Sequence, residues 1–442
     1  MRHSTVSLLI LYLLLFPVFI FSQFSSPSWV DNACIYEVNI RQFSEDGTFE
    51  AFEKELPRLK EMGIDVIWLM PIHPIGELNR KGSMGSYYAV RDYKKVNSEF
   101  GDLNSFKSLV QSTHELGLKI IIDWVANHSS PDNIWIEQGK LDWYTLDSLG
   151  NIQPTIGTDW WDVADLNYNN QDMRKEMIES MKYWVKECDI DGFRCDVAGW
   201  VPIDFWVDAR KQIEQIKPIF FLAEAEGNEL CQAFDMTYGW EFHHIMNELY
   251  QGNKTKLDFY EYFSRTQNSP CPQMHFTSNH DENSWNGTVG ERLGESKELF
   301  AVMSSVVGGM PLIYNGQETS LNKRLKFFEK DAIDWSKMDL VDFYSQIFEL
   351  KKSNAALSLI NRSQIDFIPI DSSPNLLGFY RKYGNDIIIC FFNLGNESGS
   401  FTLPEVWEFK GRYKELHTGK GICLKKNKSI EIPAWGYKVY YR

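Results

Sequence analysis

Positive charge is scarce in this chain. Lys and Arg number 45 against 60 Asp and Glu, a net charge of −15. Nucleic-acid phosphates bind to basic surface, so this balance argues against nucleic acid as a partner, while a neutral polymer or small neutral ligand is compatible with it. Zinc chemistry lacks its usual ligand spacing. The seven cysteines, an odd number, form no CxxC pair and no Cys/His cluster. Their pairing cannot be read from the spacing, and Cys195, inside a strand-like run, reads as a small buried hydrophobe. A long membrane-spanning run is also missing. The apolar stretch Val6–Phe21 is short for a span and Pro17 interrupts it.

That stretch reads instead as the middle of a signal peptide over residues 1–22. Met1-Arg2-His3 is a short basic start, and Ser22–Ser26 is a small, polar exit. No cysteine follows until Cys34, which argues against a lipid-modified N-terminus. The expectation is an exported protein, periplasmic or extracellular, with no stable membrane association after cleavage. An uncleaved anchor is the alternative. About 420 residues remain, more than one compact core holds and typical of two or three domains.

One supersecondary unit repeats along those residues. Phe52, Leu56, Leu59 and Met62 make a helical stripe over Phe49–Met62, followed by Gly63 and the strand-like Val66–Met70. Phe106, Leu109, Val110 and Leu116 repeat the device before Leu118–Ile122. Met173, Met177, Met181, Trp184 and Val185 do so before Ile190–Phe193, and Leu299, Val302, Met303 and Val306 before Pro311–Tyr314. Helices alternating with short, continuously apolar strands predict parallel strands covered by helices. Polar residues follow several of these runs: Asp123, Arg194 and Asp196, Glu224, His280 and Asp281. Polar clusters contributed by many strands fit a (β/α)8 TIM barrel over residues 30–352, with its chemistry at the C-terminal mouth, better than an open sheet with one switch point. Between His128 and Tyr168 the chain is rich in Trp, Asp, Asn and Gly without helical period, a connection long enough to be functional or a small subdomain. From Ser353 the character changes. Leu376–Tyr383, a Gly384-Asn385 turn and Asp386–Phe392 read as a β-hairpin, and Ile430–Tyr441 as a further strand. No low-complexity linker precedes this region, so it is expected to pack on the barrel.

The strings Asp123-Trp-Val-Ala-Asn127-His128, Gly192-Phe-Arg194-Cys-Asp196, Phe221-Leu-Ala-Glu224 and Ser278-Asn-His280-Asp281 resemble, in order and spacing, the four signature regions of the α-amylase family, glycoside hydrolase family 13. Tyr88 ahead of Asp92, Asp165-Leu-Asn167 and Tyr314-Asn-Gly-Gln317-Glu318 extend the likeness over residues 30–350. The resemblance implies an inserted domain B at residues 129–168, a C-terminal antiparallel β-sandwich at residues 353–442, and retaining hydrolysis of α-glucosidic bonds in starch-type glucans or maltooligosaccharides. It implies Asp196 as nucleophile, Glu224 as acid/base and Asp281 as transition-state stabiliser. His128 and His280 would donate hydrogen bonds to the sugar, with Tyr88 as a stacking platform.

Chemistry constrains the same roles. Arg194 and Asp196 are two apart on a strand and share a face, so the guanidinium is expected to lower the Asp196 pKa, as suits a nucleophile. A general acid must keep its proton near neutral pH, and Glu224 follows the apolar Phe220–Ala223. Glu226 is the rival, on the same face by parity. A retaining pair stands roughly 5 to 5.5 Å apart, against 6.5 Å or more for inversion. Asp123 is expected to hold Arg194 and the strand ends, and Tyr88 has rim packing as its plainer explanation. Trp160, Trp161, Trp200, Trp240 and Trp285 divide between subsite and core without a ranking.

No cofactor is required for this chemistry. A structural calcium is the one metal the resemblance raises, at Asn127 and Asp165. Against it, Gly199-Trp200 stands where relatives often carry Lys-His, residues 39–48 lack a DxNxDG loop, and the ion needs six or more oxygen donors. Two further functions stay open. One is an α-glucan transglycosylase or a small-oligosaccharide α-glucosidase or cyclomaltodextrinase, which shares the covalent intermediate. The other is a non-catalytic scaffold, disfavoured because all three carboxylates are present.

Overall fold

The computed structural model describes residues 24–370 and 373–442. The expected signal peptide lies outside the described residues. Eight parallel strands close into a barrel: β1 (Ile35–Val38), β2 (Val66–Leu69), β3 (Lys119–Trp124), β4 (Gly192–Cys195), β5 (Phe220–Ala223), β6 (Met236–Tyr238), β7 (Gln273–Phe276) and β8 (Met310–Tyr314). Each strand pairs with the next, and β8 closes on β1 with Ile35 opposite Leu312 and Glu37 opposite Tyr314. Six of the eight fall on the apolar runs read from the sequence, and β1 and β6 do not. β6 has only three residues and carries too little pattern to stand out.

The helices between them start and stop where their caps dictate. Asp102 accepts from the Ser105 N–H while the Ser105 hydroxyl accepts from the Asp102 N–H, a reciprocal cap on Leu103–Glu115. The Asn170 side chain accepts from the Asp172 and Met173 N–H groups to open Gln171–Cys188. The stripe expected as one helix over Phe49–Met62 is two, Phe49–Glu53 and Leu56–Met62. Pro57 is the reason: it fits a helix's first turn and has no N–H with which to continue one.

Inside the barrel the lower layer is apolar, built from Ile35, Val66, Ile121, Phe220, Leu222, Met236, Met274, Met310 and Leu312. Side chains two apart on a strand share a face. Glu37 therefore stands above Ile35, and Asp123 above Ile121. The lower layer shapes the barrel, and the next layer up lines its mouth.

The insertion after β3 is closed at its base by His128–Ser129 pairing antiparallel with Ala164–Asp165. Past Val341–Ser353, the chain forms a six-stranded antiparallel sheet of β9 (Asp366–Ile368), β10 (Leu376–Tyr383), β11 (Asp386–Asn393), β13 (Gly411–Glu415), β14 (Gly421–Leu424) and β16 (Tyr437–Tyr441). A two-stranded sheet of β12 (Gly399–Thr402) and β15 (Ser429–Ile432) faces it. The Phe391 and Phe401 rings, 4.5 Å apart, bridge the two layers. The Leu376–Asp386 hairpin turns at Gly384, whose φ of 59° favours glycine. The single strand expected over Ile430–Tyr441 is instead β15 and β16, in different sheets, because Pro433 and Trp435 (φ 47°) turn the chain between them. This domain packs on the barrel without a tether. Phe367 meets Tyr260 at 4.2 Å, and buried Arg381 donates to the Val306 carbonyl at 3.2 Å. Cys231 and Cys271 form a disulfide, Cys195 is fully buried, and the remaining described cysteines are free. Among the described residues no helix is long and apolar enough to cross a membrane.

Candidate active site

Arg194, near the end of β4, organises the mouth. It is fully buried, and its Nη1 donates to Asp123 Oδ1 at 2.9 Å and to Asp196 Oδ1 at 3.0 Å. Its Nε donates to the Tyr238 hydroxyl at 2.9 Å. Nη2 lies 2.9 Å from Glu224 Oε1 but off the hydrogen-bond direction, an ion-pair contact without a formed hydrogen bond. Asp123 is buried on β3 and spends its other oxygen on Tyr88 Oη (3.0 Å) and Trp68 Nε1 (3.2 Å). It faces the arginine and not the cavity.

Asp196 follows β4, and Val197 follows it in the left-handed region at φ 36°. A β-branched residue resists that conformation, so it persists only where its surroundings impose it. The gain is visible: the Val197 N–H donates to Glu224 Oε2 at 2.8 Å, fixing the carboxyl that emerges from β5. Glu226 does not compete for this position. β5 ends at Ala223, so strand parity does not carry that far. Glu226 turns out to solvent, accepting from the Glu241 N–H and from Gln273.

Burial sets the protonation of these groups. It pushes the Glu224 carboxyl up to about 8 and Asp196 up to about 6, in each case against the pull of Arg194. Arg194 lowers the Asp196 pKa as expected, but desolvation outweighs one shared guanidinium and the net shift is upward. The order of acidity survives: burial raises Glu224 further than Asp196, so Glu224 keeps its proton to higher pH. The negative charge of Asp196 and Asp281 adds to burial in keeping a proton on Glu224, and Asp123 is itself raised to about 6 by burial.

Tyr88, His280 and Asp281 form the opposite wall. The Tyr88 and His280 rings stack at 5.4 Å, and Tyr88 Oη is 2.7 Å from His280 Nε2. Asp281 Oδ2 lies 3.3 Å from the same nitrogen, on a side chain about a third exposed. His128, beside Trp160 at 5.5 Å, completes the ring of predicted residues around one cavity of about 680 Å³. Tyr88, His128, Asp196, Glu224, His280 and Asp281 all line it, whereas Asp123 and Arg194 lie beneath. Trp160, Trp161 and Trp285 line it too. Trp200 stacks on Trp160 at 5.6 Å behind the lip, and Trp240 packs against the barrel interior. Sequence patterning did not single out Phe327 and Phe328, which stand in an irregular loop after β8 and wall the cavity beside Trp285. Nor did it find Glu37, whose Oε1 is 2.5 Å from His280 Nδ1. A carboxylate inside a strand buried on both faces is the signal that could have found it.

The two residues that the resemblance raises for calcium, Asn127 and Asp165, each hold a threonine hydroxyl. Asn127 Nδ2 donates to Thr155 Oγ1 at 3.1 Å, and Asp165 Oδ2 accepts from Thr145 Oγ1 at 2.8 Å. Among the described residues no group of three His, Cys, Asp or Glu could hold a metal.

A closed parallel barrel with paired carboxyls of split acidity at its C-terminal mouth is the architecture of a glycoside hydrolase. The alpha amylase catalytic-domain family matches residues 37–354, and the chain belongs to it. The chain is 30% identical to a noncanonic maltogenic alpha-amylase of known structure from Thermotoga neapolitana, over 93% of this chain and 99% of that one, with a TM-score of 0.84. An alpha-amylase structure from Lactobacillus plantarum is 28% identical over 94% of this chain and 100% of its own, also with a TM-score of 0.84. Alpha-amylase MalA of Haloarcula japonica is 24% identical over 86% of this chain, which spans 58% of that protein's length.

Proposed function

We propose that this chain hydrolyses α-glucosidic bonds in starch-type glucans or maltooligosaccharides with retention of configuration. The observation that carries the proposal is the pair of carboxyls on one guanidinium, with Glu224 raised further by burial than Asp196, facing a single aromatic-walled cavity. In the first step Glu224 gives its proton to the glycosidic oxygen while an Asp196 oxygen attacks the anomeric carbon. The leaving glucan departs as an alcohol, and the sugar remains as an ester on Asp196. In the second step Glu224, now ionised, takes a proton from water, whose oxygen displaces Asp196. Asp281 stabilises the positive charge that develops at the anomeric carbon in both steps. His128 and His280 donate to the sugar hydroxyls, and Tyr88 stacks beneath the ring. Calcium is assigned no step, and dialysis against EDTA is expected to leave turnover unchanged.

The likeness to the maltogenic alpha-amylase from Thermotoga neapolitana favours a maltose-forming activity as a second reading. Transfer to a sugar in place of water shares the same intermediate. Incubation with starch, maltotriose, pullulan, cyclodextrin and sucrose, with the products resolved, separates these readings. Release of glucose or maltose from any of the α-glucans supports hydrolysis, longer products point to transfer, and no product from any of them sinks the proposal. Export rests on the layout of residues 1–22 alone. N-terminal sequencing of the mature protein tests it, with cleavage expected near Ser22.

A further inference from the structure

Glu37 is a charged group at the barrel mouth for which the double displacement has no use. It is fully buried on β1, above Ile35. Its Oε1 lies 2.5 Å from His280 Nδ1 and 3.4 Å from that residue's backbone nitrogen, and its buried Oε2 has no hydrogen-bond partner. Across the imidazole, Nε2 reaches Tyr88 Oη at 2.7 Å and Asp281 Oδ2 at 3.3 Å. Tyr88 Oη donates onward to Asp123, which holds Arg194. One continuous chain of polar contacts therefore runs from β1 across the mouth to β4, and Glu37 is its far end.

A buried carboxylate with one oxygen unsatisfied destabilises a fold, so fold support alone is a poor explanation for it. Its effect on His280 is a better one. We propose that Glu37 is a positioning residue: it fixes the His280 ring through Nδ1 and holds it as an imidazolium, so that Nε2 always carries a proton toward the cavity. This rests on the reading of Asp196, Glu224 and Asp281 as the catalytic set.

The other histidines supply the comparison. Burial pushes His128 down to about 3 and His275 down to about 4, and neither has a carboxylate against its ring. Burial pulls His280 the same way, but Asp281 and Glu37 overcome it and lift the ring to about 9. The groups facing the pair are Asp281 on the same loop, Tyr88 after β2, Asp123 on β3, Arg194 on β4, Tyr238 on β6 and Tyr314 on β8. Arg194 opposes the imidazolium and the carboxylates favour it. Of those carboxylates, Asp281 is partly exposed to solvent, whereas Glu37 is fully buried against the ring, where burial raises its own pKa and His280 and Arg194 pull it back.

Glu37→Gln keeps the shape and an acceptor oxygen but removes the charge. Two readouts apply. The first is long-range ¹H–¹⁵N correlation of the His280 ring, assigned by difference with His280→Asn. It should show imidazolium at pH 7.5 in the wild type and a neutral ring in Glu37→Gln. The second is the pH profile on maltotriose. Its alkaline limb should move at least about one pH unit toward acid, with kcat at pH 7.5 down about tenfold and KM within about threefold. A lowered Tm with unchanged ring signals and an unchanged profile would reduce Glu37 to a structural residue. If Glu37→Gln does not fold, a neutral His280 ring in the wild type at pH 7.5 overturns the proposal by itself, and an imidazolium sustains it. Wild-type protein inert on every α-glucan would refute the functional reading, and the ring spectra would still decide the role of Glu37.

Discussion

Two layers of the same barrel, one residue pair apart along the strands, differ in nearly every physical respect. The lower layer, from Ile35 to Leu312, is buried and apolar. The upper layer holds Glu37, Asp123, Arg194, Asp196, Glu224 and His280, all buried or nearly so and all ionisable. The lower layer gains stability from removing apolar surface from water. The upper layer loses stability, because several carboxyls share one guanidinium and one imidazole at low dielectric. The contrast teaches that stability and chemistry are segregated by height along the strands. A substitution should move one or the other according to its layer.

The largest effect expected is at Asp196. Asp196→Asn should lower kcat at least about a thousandfold, since no other carboxylate takes its place. The same change should raise Tm at pH 8 by roughly 1–3 °C. The sign follows from the Asp196 pKa of about 6, raised by burial above that of the unfolded chain. The stability this group contributes is full at low pH and is lost as pH rises through about 6, so its ionised form at pH 8 is a cost that asparagine removes. A thermal scan showing a large loss of Tm would blur the distinction between the layers.

Next in size is the pH dependence of kcat/KM. Asp196 must be ionised and Glu224 protonated, so activity should peak near pH 7 and fall about tenfold per unit outside limbs near 6 and 8. A profile still rising at pH 9 would contradict a protonated Glu224 as the acid. The smallest effect on chemistry is expected from the lower layer. Met274→Ala, at a fully buried position, should cost about 2–5 kcal/mol of stability and leave kcat of the folded protein within about threefold. Loss of kcat without loss of stability would break the comparison from the other side.

Much of the upper layer was legible in the sequence, and the physical reason is regularity. Asp123 and Glu224 each follow a continuous apolar run, Arg194 and Asp196 follow the short Ile190–Phe193 segment that Asp191 interrupts, and parallel strands buried on both faces bring the ends of such runs to one mouth. What stayed hidden lacked that regularity. Glu37 sits inside the four-residue strand Ile35–Val38, where one charged residue looks like a solvent-facing alternation. Phe327 and Phe328 come from a loop with no period. Parity placed Glu226 beside Glu224 because the sequence does not mark where β5 stops. The pKa of Asp196 depends on how much water reaches it, which no local pattern records. The pairing of Cys231 with Cys271 joins residues 40 apart through the fold alone.

The central claim is that the upper layer runs two displacements through Asp196, each inverting the anomeric carbon. Proton NMR taken within minutes of adding enzyme to a maltooligosaccharide tests it most directly. The α-anomer of the new reducing end is expected first and the β-anomer only later, by mutarotation. Early β-product would mean a single displacement by water and would contradict the claim.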